Sequence, residues 1–295
     1  MNAAGPPTTC VLCGQPPRRA CELRNGAALL RCPECGLGWW AWPAFDPHAF
    51  YDESYFQSSA DVKGYDDYAA LEAGVARTAR ARLRRIRRLR AASTPGRLLE
   101  IGCGTGVFLA EARRAGWDVS GVEVSAYATE RARQRGLPVT SQAIEDLDLP
   151  AAMFDCVCLW DVIEHVRDPA GVLGRAGAAL RPGGVLALST GDLASLCARV
   201  SGAGWHLFNL PEHLFFFTPS CLRGLLARAG CRVGAVVRET NWVPLAYIVE
   251  RLGKSRGRFG RLVAALLRVA PRALRARLLV PATLLDVVGV YALRT

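Results

Sequence analysis

Leu98-Leu99-Glu100-Ile101-Gly102-Cys103-Gly104-Thr105-Gly106-Val107-Phe108-Leu109 is the stretch on which the reading of this chain turns. A short apolar run ends on an acid, passes through glycines at alternate positions and opens into a helical pattern, which predicts a strand, a tight turn and a helix N-terminus. Glycine is needed where the backbone takes positive φ or where a ligand approaches with no Cβ in the way. Free amides at a helix start receive negatively charged groups. A nucleotide-like cofactor therefore belongs here. The dinucleotide fingerprint G-x-G-x-x-G fails, because position 107 is Val, and no G-x-x-x-x-G-K-[ST] phosphate loop is present.

Outward from the loop, the pattern alternates strand and helix. A helix over 107–115 stops at Gly116, and Trp117-Asp118-Val119-Ser120-Gly121-Val122-Glu123 reads as a strand ending on an acid, 17 residues beyond Gly106. A helix over 126–135 and a short strand near Val139 follow. Phe154-Asp155-Cys156-Val157-Cys158-Leu159-Trp160 is a buried strand leading into Asp161-Val162-Ile163-Glu164-His165-Val166 and Asp168-Pro169. A helix over 171–180, the turn Arg181-Pro182-Gly183-Gly184 and the strand 185–189 complete the series.

The spelling E-x-G-x-G-x-G resembles motif I of the class I S-adenosylmethionine-dependent methyltransferases. The run FDCVCLWDVIEHVRDP is similar to motif IV in the ubiquinone-pathway O-methyltransferases and their relatives. The resemblance implies an α/β, Rossmann-like fold with a seven-stranded, mostly parallel sheet whose last strand is antiparallel, Cys231–Val237 and Val288–Leu293 supplying the last two strands. It implies S-adenosylmethionine held by Glu100, Gly102, Cys103, Gly104, Gly106 and Asp161, with Glu123 accepting from both ribose hydroxyls. Ile144 and Glu145 are the candidates at the adenine, the first against the ring and the second near its amino group.

Before this region, Cys10-x-x-Cys13 and Cys32-x-x-Cys35 are separated by eighteen residues, each pair followed by glycine. Four thiolates at this spacing can close a tetrahedron around a structural Zn²⁺, and about 40 residues rarely fold without such a staple. We expect a zinc ribbon over 1–42, an aromatic linker over 43–68 in which Tyr51, Tyr55 or Tyr65 roofs the pocket or packs between domains, and the methyltransferase domain over 69–295. Ribbon, Tyr-rich linker and domain together look like the zinc-ribbon methyltransferases of envelope polysaccharide and secondary-metabolite pathways. A helix over 69–92 carries an apolar stripe from Leu71 to Leu89, its arginines reading as a solvated face.

With 51% hydrophobic residues among 295, the chain can bury a substantial core. The start shows no charged region leading into an apolar stretch, and no run reaches 18 apolar residues, so a cytoplasmic protein with its eleven cysteines reduced is expected. The net charge of +11 is concentrated: nine basic residues and no acidic one lie between Arg251 and Val280. That makes nucleic acid the disfavoured partner. Segment 240–287 reads as an amphipathic insertion before the last strand, with Phe259, Leu262, Val263, Leu266 and Leu267 on one face. It suits either a lid or peripheral contact with the inner membrane face through 251–280.

Methyl transfer from a sulfonium requires alignment and the removal of one proton. The acceptor is expected above the ends of strands four and five. His213 is the first candidate for general base, because a neutral imidazole can take a hydroxyl proton; His165 is second, with Asp161 and Glu164 nearby. Glu212 either orients His213 or caps a helix over 219–229. The reading is methyl transfer to oxygen or carbon of a small, sugar or lipid-linked acceptor. The alternatives are RNA methylation and an inactive cofactor-binding module that recruits a partner.

Overall fold

The computed structural model describes residues 6–23, 25–42, 50, 68–90, 94–254 and 258–295, with the backbone alone described for 68–70, 251–254 and 258–261. Tyr51, Tyr55 and Tyr65, expected over the pocket, lie outside the described residues.

The chain opens with three short strands, β1 (Arg18–Glu22), β2 (Ala28–Arg31) and β3 (Gly38–Trp40). Helix α1 (Tyr68–Arg90) follows, then β4 (Arg97–Ile101), α2 (Val107–Arg114), β5 (Asp118–Glu123), α3 (Ala126–Gln134), β6 (Val139–Ser141), β7 (Phe154–Trp160), α4 (Pro169–Ala179) and β8 (Leu180–Gly191). Beyond these come α5 (Leu196–Ser201), β9 (Phe215–Phe216), α6 (Pro219–Arg228), β10 (Cys231–Arg238), β11 (Asn241–Pro244), α7 (Leu245–Lys254), α8 (Arg258–Leu267), α9 (Arg272–Arg277), β12 (Leu279–Ala282) and β13 (Val287–Arg294).

Seven strands form one sheet in the order β10-β13-β8-β7-β4-β5-β6. From β6 to β8 neighbours are parallel, and β13 runs antiparallel between β8 and β10. This is the fold the glycine-loop resemblance implies. Period-two side chains build both faces. In β7, Cys156, Cys158 and Trp160 pack under α1 and α2, whereas Val157 and Leu159 face α4 and α6. Cys156 and Cys158 are fully buried and serve as small core residues. The α1 stripe docks Ala79, Leu83 and Ile86 on the first face. Each such side chain contributes roughly 1.5–3 kcal/mol by leaving water.

β3 pairs with β2 and, on its other edge, with β9, so the N-terminal sheet is completed by a strand from beyond β8. Trp39, Trp40 and Trp42 are buried in one cluster with Val157 and Leu188 of the central sheet. At the start of α6 the cap is Thr218, whose Oγ1 accepts from the Cys221 amide at 3.3 Å, and not Glu212.

Candidate active site

The glycine loop joins β4 to α2 with Gly102, Gly104 and Gly106 all at positive φ, 69°, 53° and 79°. A Cβ on Gly102 would lie 2.5 Å from Val162 Cγ2, and one on Gly106 would overlap Leu137 Cδ1. The loop therefore sits tightly under the 161–166 turn and against α3, which glycine alone allows. Glu123, ending β5, turns its carboxylate into the loop: Oε2 accepts from the Gly104 amide at 2.7 Å and Oε1 from the Ser125 amide at 2.9 Å. Burial pushes its pKa upward, against the pull of these amides.

Beside the loop, several buried polar atoms lack a protein partner among the described residues: Glu100 Oε2, Thr105 Oγ1, Trp160 Nε1 and Glu164 Oε2. Buried polar groups in folded proteins are ordinarily paired, so a cluster of orphans around a positive-φ cradle fits a bound polar ligand. Burial pushes the Glu100 carboxyl well above the usual carboxylate range. Cys103 is a buried thiol at the turn. Ile144 is half-buried against the core in a one-turn helix, while the exposed Glu145 accepts from the Arg167 amide at 3.4 Å.

At the end of β7, Asp161 adopts φ 55°, uncommon for a residue other than glycine and met at functional turns. Its Oδ1 accepts from Ser189 Oγ at 2.9 Å. Arg82, on α1, donates to that same Ser189 Oγ at 3.1 Å and lies 4.0 Å from Asp161 Oδ2. The guanidinium stacks 4.2 Å over the Trp160 ring and pairs with buried Glu239 at 3.4 Å. Arg82 corrects the solvated-face reading of α1: it is buried at the strand ends, a site cation that the residue-by-residue reading missed. The only signal was its position four residues after Thr78 and one before Leu83, inside the apolar stripe.

His165 and His213 meet edge to face, ring centres 4.6 Å apart. His165 Nδ1 faces the Glu212 carbonyl at 3.0 Å, and the ring also bonds the Asp161 carbonyl. His213 Nδ1 faces the Leu207 carbonyl at 2.9 Å. A carbonyl only accepts, so His213 Nδ1 carries its proton and Nε2 is the basic nitrogen. Burial lowers both imidazoles, His165 to about 4 and His213 well below its ordinary value, so both are neutral near pH 7. Glu164 is pushed up to about 8, first by burial and then by the Asp161 charge, and Glu212 to about 7 by burial.

Glu164 has a stability consequence. Its folded value lies above the ordinary 4.5, so its contribution is complete below about pH 4.5 and is lost as pH rises through about 8. Glu164→Gln, which keeps the volume without ionising, is expected to flatten the decline in melting temperature between pH 5 and 9. An unchanged slope in thermal unfolding would contradict this.

The four N-terminal cysteines converge, with Cys10 and Cys35 Sγ 3.5 Å apart and Cys13 and Cys32 Sγ 3.4 Å apart. All four sulfurs lie within 4.8 Å of one another. Sulfur ligands at about 2.3 Å from zinc sit a little under 4 Å apart, so the cluster could hold Zn²⁺ with slight adjustment. Cys21, on β1, stands outside it.

The sheet order, the glycine cradle and the acid ending β5 define a class I S-adenosylmethionine-dependent methyltransferase. The family described as a methyltransferase domain matches residues 75–236, more than half the chain, and the chain belongs to it. It is 33% identical over 162 residues to a ubiquinone biosynthesis O-methyltransferase of Cereibacter sphaeroides, covering 50% of this chain and 66% of that one. A Xylella fastidiosa protein of the same description is 32% identical over 171 residues, covering 52% and 69%. The chain thus spans about two thirds of the length of these relatives. Among solved structures, magnesium protoporphyrin IX methyltransferase from Synechocystis, with S-adenosylhomocysteine bound, matches 82% of this chain and 97% of that one at TM-score 0.53 and 15% identity, which shows the shared fold. No described helix is long and apolar enough to cross a membrane.

Proposed function

We propose that the protein transfers a methyl group to a hydroxyl oxygen of a small or lipid-linked acceptor. The observation carrying this reading is His213: a neutral imidazole, tautomer fixed by the Leu207 carbonyl, beside Glu164 at the end of the sheet where Asp161 opens to solvent. O-methylation by the relatives from Cereibacter and Xylella supports oxygen as the atom.

Bound S-adenosylmethionine supplies an electrophilic methyl on a sulfonium. Gly102, Gly104 and Gly106 would pass its backbone-facing side, Glu123 would accept from the ribose hydroxyls, and Ile144 would lie against the adenine with Glu145 near its amino group. Asp161, held by Ser189 and Arg82, would face the amino-acid end. His213 Nε2 takes the hydroxyl proton as the acceptor oxygen gains its methyl. His165, whose Nδ1 faces the Glu212 carbonyl, packs edge to face on the His213 ring and positions it.

The basic late segment supports a lipid-linked acceptor. Leu262, Leu266 and Val269 are 59%, 66% and 85% exposed, and Arg268, Arg272, Arg275 and Arg277 lie among or just beyond them. Exposed leucines beside unopposed cations suit an anionic bilayer surface, so contact with the inner membrane face belongs to the proposal.

One experiment tests both parts. Protein and S-adenosylmethionine are incubated with a panel of phenolic and polyol acceptors, free and in vesicles containing anionic lipid, and S-adenosylhomocysteine release is followed. His213→Gln is expected to lower turnover by 10²–10⁴, the range of general-base catalysis, and His165→Gln by less. Turnover unchanged in His213→Gln would remove it as the base. Equal rates on free and vesicle-borne acceptor would remove the membrane part.

A further inference from the structure

A second group of metal-binding side chains lies apart from the N-terminal cysteines and from the proposed base. Cys197 on α5, His206 in the loop after it, and Asp286 just before β13 place one ligand atom each within 4.8 Å of the others. His206 Nε2 is 2.7 Å from Asp286 Oδ2, and the Cys197 thiol also bonds the Asp286 carboxylate. Two chain-distant segments are brought together by the sheet: Val287 pairs with Gly191 at the end of β8, and the Asp192 amide donates to the Asp286 carbonyl at 2.7 Å.

The Asp286 side chain is 3% exposed, yet among the described residues the only group in ion-pair range that can carry positive charge is His206. Nearby Arg238 is already engaged by Asp192. A buried carboxylate without a permanent cation is costly; here Trp205 Nε1 at 2.8 Å, His206 Nε2 at 2.7 Å and the Cys197 thiol donate to it, and a metal ion would stand in for the last two protons. The His206 side chain is 49% exposed, so the cluster opens to solvent on one side.

We propose that Cys197, His206 and Asp286 form a three-ligand site for Zn²⁺, with its fourth position open to water or another oxygen ligand. Thiolate and imidazole select zinc over the hard cations, which prefer all-oxygen shells. One thiolate and one carboxylate neutralise the two charges of the ion, so the complex suits a half-buried place. Tetrahedral zinc holds such atoms about 3.3–3.8 Å apart; here they lie within 4.8 Å of one another, and the His206–Asp286 pair, now 2.7 Å apart, would open on binding. Binding displaces the thiol proton to solvent, moves the imidazole proton from Nε2 to Nδ1, and leaves Trp205 on the carboxylate as the group that orients it. Three protein ligands with an open fourth position are the pattern of catalytic rather than structural zinc. The site shares the end of β8 with Ser189 and Asp161, but its occupancy does not depend on the acceptor or on His213.

The test uses the full chain, loaded with Zn²⁺ and passed over a desalting column before elemental analysis. Two zinc ions per chain are expected for the unaltered protein, and one for Cys197→Ser and for His206→Gln. Cys197→Ser is near-isosteric and keeps a donor toward Asp286, so its circular dichroism should match the parent. Titration with Co²⁺ adds a second readout: the one-thiolate charge-transfer band is expected to vanish in Cys197→Ser. Affinity at this site should weaken by at least about 100-fold with either ligand removed, more than a supporting residue costs. One zinc per chain in the unaltered protein, or two persisting in both variants, would overturn the assignment.

Discussion

Glu123→Gln is expected to weaken S-adenosylmethionine binding by at least about 100-fold in isothermal titration, with the fold retained. The carboxylate does two things at once. Its oxygens accept from the Gly104 and Ser125 amides at 2.7 and 2.9 Å, pinning the glycine loop to the end of β5. Their remaining lone pairs are the acceptors proposed for the ribose hydroxyls. A glutamine must put its NH₂ where one oxygen stood, facing an N–H, so one amide loses its acceptor and one hydroxyl loses a charged partner. Two charge-assisted bonds at about 1.5–3 kcal/mol each amount to two to four decades of affinity at about 1.4 kcal/mol per decade. A pH signature accompanies this. Burial raises the proton affinity of Glu123, and a protonated carboxyl cannot accept on both oxygens, so affinity should fall as pH is lowered in the parent and not in the variant. A dissociation constant in the variant within threefold of the parent would mean that the acid only shapes the loop.

How far the sequence carries depends on whether a requirement is local. The β4–loop–α2–β5 unit was legible because its demands show in single residues: glycine where φ is positive, an acid where a strand ends. The cysteine pairs were legible for the same reason. Arg82 was not, because its burial comes from α1 packing on the sheet and from Glu239, 157 positions away. His213 could be named from residue type alone, but its tautomer comes from the Leu207 carbonyl and its neutrality from burial. Asp286 is separated from Cys197 and His206 by β9 to β12, and no spacing rule links the three. The union of β3 with β9 was also hidden, because the two-residue pairing through Phe215 and Phe216 leaves no period to detect.

That union decides what the N-terminal cysteines do for the rest of the molecule. Replacing Cys13 and Cys32 by serine, or stripping zinc with a strong chelator, is expected to unfold the β1–β3 sheet and to loosen the segment carrying His213. Structural zinc contributes about 10–16 kcal/mol of apparent binding free energy in small sites, comparable with the whole stability of a domain at about 5–15 kcal/mol. The sheet it staples is not a separate appendage. Trp40 Nε1 donates to the His213 carbonyl at 2.9 Å, Thr218 Oγ1 to the Cys35 carbonyl at 3.4 Å, and Trp42 packs edge-on to Phe215 at 5.3 Å. Without the ion, Trp39, Trp40 and Trp42 lose their burial, and the strand fixing residues 213–216 loses its neighbour. The expected result is a red shift in tryptophan emission, a melting temperature lower by more than 10 °C, and lower turnover on any acceptor that the panel identifies. Binding of S-adenosylmethionine should survive, because Glu123 is held by the Gly104 and Ser125 amides and the loop packs on Val162 and Leu137, none of which belongs to this sheet. Emission, melting temperature and turnover all unchanged after metal removal would mean that the cysteines hold the sheet without zinc. If cofactor binding were lost together with turnover, the two halves would be one cooperative unit rather than a sheet that braces His213.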